Sequence, residues 1–476
     1  MKKCIKLKNI IFFIIPFVML LITLFSFWPG IYTYDGTNQW EQAISGNINN
    51  EHPFFGTYFM LILSKIWNAQ TIILIYQILL FSIIWFLICT DLLKEKKKHK
   101  SIIVYTIFMC LTPIISIYAV TGWKDVIYSY YLLSISYFLY KGVKDNFNYK
   151  TSNLIVIGLL LGLIFSYRHN GIIVAILLLL FMLISFIKRK ISFKKVFLIL
   201  MTFILFLGVV SIPKKYYLNK YSENEEKTEA TSIIDNYMTW IMGKYILNNY
   251  VSDDDLDFLN NYIEIDEWKK TYNAYLINAT NLAATKNNDF IASNSERFHS
   301  IFIKYTMKHP TSFIVHYLKA DALLWSPFPI GYIYQYDFKL QGPEYGFLND
   351  DTSKIPVLKN IYEKLTTITM KRPIRVILYQ PATIMYISLI ALLILVKSTK
   401  NKKYWFVCVP MLANIISLLP INLAQDLRYV YINYLTLAYV GLLITLNFKS
   451  ILIYSKKLFS NLKNKVKVIF IKNIFI

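Results

Sequence analysis

The chain has 476 residues, of which 56% are hydrophobic, 17% aromatic and only 17% charged. That balance excludes an ordinary soluble protein, because uncharged runs such as 10–28, 172–187 and 430–448 approach or reach the ~20 residues a helix needs to cross a ~30 Å hydrocarbon core. The formal charge of +23 would suggest nucleic acid in a soluble domain, but here the lysines cluster in short connections between apolar runs, the positive-inside pattern, and no nucleic-acid partner is implied.

In chain order, Lys2, Lys3, Lys6 and Lys8 precede an apolar run too long for a signal-peptide core, and no small-residue cleavage site follows it, so an uncleaved first span with a cytoplasmic N-terminus is expected. The next strongly basic segment, Lys94 to Lys100, requires an even number of crossings before it. Residues 53–67, which include Lys65, are therefore read as a helix lying in the outer interface, and 71–90 as the second span. Spans at 101–119, 126–140, 153–167, 172–187 and 196–212 keep the basic loops inside. A long polar segment, 213–375, then holds 20 of the 28 acidic residues. Its helical spacing in 231–250, 266–284, 292–308 and 311–326 reads as a mainly helical external domain. Spans at 380–396, 404–421 and 430–448 complete the chain before a Lys-rich tail.

The expectation is an all-α integral membrane protein of about ten transmembrane helices, multi-pass in the cell membrane with both termini cytoplasmic. It divides into a seven-span module at 1–212, the external domain at 213–375, a three-span module at 376–450 and a basic interfacial tail at 451–476. Gly158 and Gly162 form a small-xxx-small pair that suits close helix packing. Cys4 and Cys89 fall near basic segments and Cys110 and Cys408 inside apolar runs, so no disulfide framework is expected.

The interiors of the ten segments carry no Asp, Glu, Lys, Arg or His, which argues against an ion-coupled carrier. Charge gathers instead at the outer ends of spans: Asp35, Glu41, Glu51 and His52, then Lys124 and Asp125, then Arg168 and His169, and finally Asp426 and Arg428. With six Arg against 45 Lys, this chain uses Lys wherever a plain positive charge suffices, yet Arg168, Arg372, Arg375 and Arg428 all fall on the outer side. A guanidinium grips phosphate oxygens bidentately, whereas an ammonium is a point charge. Headgroup snorkelling, or ion pairing with Asp426 or Asp125, is the structural alternative. Asp35 reads either as a carboxylate of raised pKa able to act as a general base or as the N-cap of a helix at 37–46. Asp253, Asp254 and Asp255 read as a solvated helix start.

An apolar first helix, an outer-loop Asp and, after a short stretch, His52-Pro53 leading an amphipathic helix resemble the start of GT-C glycosyltransferases, polytopic enzymes that use polyprenyl-phosphate sugars. Gly122-Trp123-Lys124-Asp125, Arg168-His169-Asn170-Gly171 and Asp426-Leu427-Arg428-Tyr429 look like features of bacterial members of that superfamily. Many of these enzymes have a second acidic residue after the first-loop Asp, where this chain has Gly36, and Pro-Pro where it has Pro53-Phe54. The resemblance implies transfer of a sugar from a polyprenyl-phosphate donor to an envelope glycan or lipid acceptor at the outer face, within the membrane lipid. Asp35 and Asp125 would be catalytic, and His52, Lys124, Arg168, His169, Asn170, Arg428 and Tyr429 substrate-binding. Mg²⁺ or Mn²⁺ at Asp125 is left open. A non-catalytic protein that binds or transports a lipid-linked sugar is the alternative.

Overall fold

The computed structural model of the chain describes residues 7–49, 52–189, 192–224, 233–328, 353–371, 373–420, 422 and 424–474. Among the described residues the regular structure is helical, with pairing between extended segments limited to isolated bridges. In lipid, apolar runs must satisfy their own backbone groups, and the helix does so locally. The first part of the chain forms α1 (Ile11–Ser26), α2 (Tyr34–Ser45), α3 (Phe54–Ser64), α4 (Thr71–Lys96), α5 (His99–Leu111), α6 (Pro113–Ala119), α7 (Lys124–Lys144), α8 (Thr151–Tyr167), α9 (Gly171–Lys188) and α10 (Phe193–Asn224). Helices at Pro381–Thr399, Val409–Leu418 and Ile432–Ile474 follow the polar segment.

Every apolar segment expected from the sequence is helical. Five helices are each long and apolar enough to cross a membrane: Thr71–Lys96, Gly171–Lys188, Phe193–Lys220, Pro381–Thr399 and Leu427–Leu458. The pair α5 and α6, bent by 69°, is a broken span or a re-entrant loop and makes a sixth only if counted as one span, while α1, α3 and α8 are apolar but shorter. Two segments expected to be single helices are broken. Residues 101–119 bend at Thr112, which precedes Pro113 and is extended, as a pre-proline residue prefers. The other, expected at 404–421, holds a 3₁₀ turn, Lys402–Cys408, and then a short helix, Val409–Leu418, with Pro410 in its first turn, where the missing N–H costs nothing.

Helix α7 is the centre of the bundle. Every residue from Asp125 to Tyr140 is buried, although many are Tyr and Ser, because α4, α8, the Lys402–Cys408 turn and Val409–Leu418 surround it. Gly158 and Gly162 face α10, where a Cβ would come within 1.8 Å of Thr202 Oγ1 and 2.4 Å of Phe206 Cδ1. The close approach expected of this pair is what holds α8 against α10.

The polar segment builds a second core, including Ile241, Tyr262, Trp268, Phe298 and Tyr305, separate from that of the bundle. Its helices are Ile233–Leu247, Asp253–Asn260, Ile265–Thr271, Asn278–Asn281, Asn288–Ser293, Ser295–Lys308, Pro310–Ala320 and Ala322–Trp325. The stretch 266–284 is not one helix. It turns at Asn273, whose carbonyl accepts from Trp240 Nε1 at 2.6 Å and whose Oδ1 accepts from Tyr275 N at 2.9 Å. Asp253, Asp254 and Asp255 occupy the first turn of their helix, where negative charge suits the macrodipole. Pro356–Thr369 returns to the bundle and packs on α1 through a Thr23–Tyr362 hydroxyl contact of 3.1 Å.

Candidate active site

Backbone pairing first brings two connections together. Ile31 N donates to Val120 O at 2.9 Å and Gly122 N to Ile31 O at 2.8 Å, a short parallel bridge between the segments after α1 and after α6. Gln77, buried on α4, donates to Ala119 O at 2.8 Å and Thr121 O at 2.9 Å, so the second segment is held from below. Trp123 Nε1 reaches Thr33 Oγ1 at 2.6 Å. The approach is so close that a Cβ on Gly36 would stand 2.5 Å from Gly122 O, a backbone atom that cannot swing aside. This is the physical reason for glycine at position 36: any larger side chain would drive the two segments apart.

On this frame the charged side chains converge. Asp35 lies in the first turn of α2, Lys124 and Asp125 in the first turn of α7, Arg168 at the end of α8, and Arg428 in the 3₁₀ turn Leu427–Val430. Arg428 Nη1 lies 2.5 Å from Asp35 Oδ2, and its Nε lies 2.7 Å from Asp426 Oδ2 and 3.8 Å from Asp125 Oδ2. Arg168 Nε lies 3.1 Å from Asp125 Oδ1. The Tyr429 ring stands between the two guanidinium groups, 4.9 Å from that of Arg168 and 5.3 Å from that of Arg428, and Trp123 covers Arg428 at 5.4 Å. Asn170 is buried, donating to Ser417 Oγ at 2.9 Å and Asn414 Oδ1 at 3.3 Å, and Asn414 in turn donates to Tyr429 O at 2.9 Å. Asn170 thus reaches the Arg428 turn through its neighbours as well as facing the cavity.

All nine residues singled out from the sequence, Asp35, His52, Lys124, Asp125, Arg168, His169, Asn170, Arg428 and Tyr429, line one cavity of about 200 Å³. Asp35 is its half-open carboxylate; Asp125 is buried, and His169 is the exposed rim. Lys124 Nζ stands 2.7 Å from His52 Nδ1. An ammonium has only donors, so Nδ1 accepts and the imidazole proton sits on Nε2. That Nε2 is buried and has no hydrogen-bond partner among the described residues.

The electrostatics follow from burial. Desolvation, followed by the nearby Lys124 charge, pushes the His52 imidazolium down to about 3, so the ring is neutral. Burial lowers Lys124 to about 8 against the pull of Asp125 and Asp35. Burial also raises Asp426 to about 6 although Arg428 opposes it. For Asp35 burial works upward too, but Arg428 and Lys124 outweigh it and hold the carboxyl below its ordinary value. The raised value expected from the sequence is therefore reversed, because that reading had no partner for Asp35. The helix it sits in also starts earlier than expected, at Tyr34, with Thr33 in the capping position.

The donor set does not fit a divalent cation. Three carboxylates converge, but the Arg428 guanidinium occupies the place between them, and among the described residues no group of three or more His, Cys, Asp or Glu side chains is arranged to hold a metal. The ion pairing weighed as an alternative for the arginines is present, for Arg168 with Asp125 and for Arg428 with Asp426. Arg375, on the short helix Ile374–Leu378, is not among the residues lining the cavity, and Arg372 and Glu51 lie outside the described residues. Sequence reasoning passed over Trp123 and Asp426 as site residues, although both belong to the runs that drew attention. It had no signal for Leu418, which lines the cavity from Val409–Leu418.

Residues 51–213 match the family model described as dolichyl-phosphate-mannose-protein mannosyltransferase, a family of GT-C membrane glycosyltransferases. The match takes in His52, Lys124, Asp125, Arg168, His169 and Asn170, and leaves Asp35, Arg428 and Tyr429 outside it. No curated protein and no solved structure matches the chain.

Proposed function

We propose that this chain transfers a sugar from a polyprenyl-phosphate donor to a hydroxyl of an envelope acceptor, at the outer end of a ten-span bundle with both termini in the cytoplasm. The observation that carries the reading is the half-open Asp35 carboxylate beside buried Arg168 and the partly buried Lys124 and Arg428 in one cavity, to which four separate connections contribute. Lys124, Arg168 and Arg428 would face the donor phosphate, with the polyprenyl chain in lipid, and offset the charge that grows on the leaving phosphate. The acceptor oxygen attacks the anomeric carbon, the bond from that carbon to the phosphate oxygen breaks with its electron pair going to phosphate, and the acceptor proton passes to Asp35. A weakly basic carboxylate suffices, because in an oxocarbenium-like transition state the hydroxyl becomes acidic as its bond to carbon forms.

In the resting arrangement Asp35 engages Arg428, so an entering phosphate takes over that guanidinium and leaves the carboxylate to the acceptor. Asp125, paired with Arg168, keeps the clamp in place and orients the acceptor. His52, with its proton on Nε2, donates to an oxygen of the donor. His169, Asn170 and Tyr429 shape the rim and support the turn that bears Arg428.

The test is transfer of label from radiolabelled undecaprenyl-phosphate sugars to an envelope acceptor fraction, by wild type and Asp35→Asn side by side, together with their binding of undecaprenyl phosphate. Loss of a general base lowers the rate by about 10²–10⁴-fold. Because Asn competes less for Arg428, binding of the lipid phosphate stays equal or tightens. Transfer retained by Asp35→Asn would remove Asp35 from the base role. Equal binding with no transfer by either protein would favour a lipid-phosphate receptor over an enzyme.

A further inference from the structure

The junction between the polar segment and Pro381–Thr399 has a surface that water does not explain. On Pro310–Ala320 the inward face is Ser312, His316 and Ala320, while Ile314, Val315 and Leu318 point outward at 55%, 43% and 50% exposure. The chain then turns through Trp325 and Phe328, 40% and 68% exposed. The Trp325 indole N–H donates to Leu318 O at 2.9 Å, which places the Trp325 ring beside the Leu318 turn. A water-facing helix would carry polar residues at those positions.

The backbone of the same turn is satisfied by side chains as though no water were at hand. Trp325 O accepts from Tyr386 Oη at 2.8 Å, Ser326 O from Gln380 Nε2 at 2.8 Å, Pro327 O from Thr383 Oγ1 at 3.0 Å and Phe328 O from Ser326 Oγ at 2.6 Å. Three of these donors, Gln380, Thr383 and Tyr386, stand one turn apart on or just before a helix long and apolar enough to span the membrane. Tyr386 is five residues past Pro381, about 7.5 Å along the axis at 1.5 Å per residue. Trp325 thus lies beside the first turns of that helix, whose exposed Ile390 and Leu393 continue the apolar surface. Irregular backbone at membrane depth requires internal partners, and indole and phenol rings favour the boundary between headgroups and hydrocarbon.

We propose that residues 314–328 dip into the bilayer leaflet on the cavity side, with Ile314, Leu318, Trp325 and Phe328 in lipid and Lys319 at the headgroups. The partner is lipid. The insertion places the polar segment's end against the membrane directly behind the site: Leu323 and Leu324 pack on Leu418 and Val430, and Leu323 N donates to Gln425 Oε1 at 2.6 Å, one residue before Asp426. The inference stands on this surface alone and does not depend on the proposed chemistry.

The test uses the full-length chain in nanodiscs of phosphatidylcholine and phosphatidylglycerol. Ile314→Cys and, separately, Leu318→Cys carry a nitrobenzoxadiazole probe in a Cys4→Ser background, the other native thiols, Cys89, Cys110 and Cys408, being buried. Asp254→Cys on Asp253–Asn260 serves as the reference for a water-facing position. Both probes on 310–320 should lose most of their emission in lipid brominated near the top of its acyl chains and little to aqueous iodide, and the probe at 254 the reverse. Quenching by iodide at 314 and 318 would overturn the proposal in favour of a water-exposed face. Quenching by neither agent would overturn it in favour of a second protein copy or another protein covering the face.

Discussion

Replacing Arg428 by Ala tests whether this guanidinium organises the cavity. Its Nη1 and Nε lie 2.5 Å from Asp35 and 2.7 Å from Asp426, and it is stacked between Trp123 and Tyr429. Asp125 and Asp426 are almost wholly removed from solvent, so the variant leaves two carboxylates buried with only Lys124 and Arg168 near them. Removing one partner of a buried ion pair costs about 3–5 kcal/mol, and losing the ring contacts adds about 0.5–1 kcal/mol.

That cost depends on pH, and the sign follows from Asp426. Its carboxyl titrates at about 6 with Arg428 present, and loss of the cation raises it further. Near pH 8 the variant pays for an unpaired carboxylate or for its protonation. Near pH 5 Asp426 is already mostly protonated in the wild type, so the difference narrows by about 1.4 kcal/mol for each unit by which the variant raises Asp426. Denaturant unfolding of both proteins in nanodiscs, at these two pH values, reads the difference directly. Arg428→Lys should fall between them, since one ammonium cannot span both contacts or stack. A cost that is small, or that is the same at both pH values, would refute the organising role.

Three further outcomes follow. His52→Asn keeps an acceptor for Lys124 but removes the donor at the Nε2 position, whereas His52→Gln restores a donor there; undecaprenyl-phosphate-sugar KM should therefore rise in the first, by about tenfold for one lost hydrogen bond of about 1.4 kcal/mol, and recover in the second. Gly36→Ala places a Cβ against Gly122 O and should destabilise by about 1–3 kcal/mol, as overpacking does, with transfer falling further as α2 and α7 separate. Asp321, raised to about 7 by burial, binds a proton when folded that the unfolded chain has lost. Wild-type stability should therefore fall as pH rises from about 4 to about 7, and Asp321→Asn should flatten that slope in urea unfolding.

Much of the molecule is legible in the sequence because its terms are local. A helix in lipid needs only an apolar run, and the ten runs are helical among the described residues; Pro113 marks the bend in 101–119, and Pro410 opens the short helix that follows the 3₁₀ turn. Charge at the ends of spans is likewise a local signal, and Asp35, His52, Lys124, Asp125, Arg168, His169 and Arg428, which it marked, all line one cavity; Asn170 and Tyr429 beside them were marked by the motifs that carry the resemblance. Pairing is not local. That Arg428 would reach Asp35, lowering its pKa where isolation would have raised it, depends on two segments nearly four hundred positions apart meeting at one end of the bundle. The same limit applies to Gly36, whose need for glycine comes from Gly122 O, and to the His52 tautomer, set by Lys124. Sequence by itself determined which residues would be costly to bury and hence where chemistry gathers. Only the tertiary structure decided which of those charges neutralise one another, because a pKa and a tautomer depend on neighbours that covalent order does not specify.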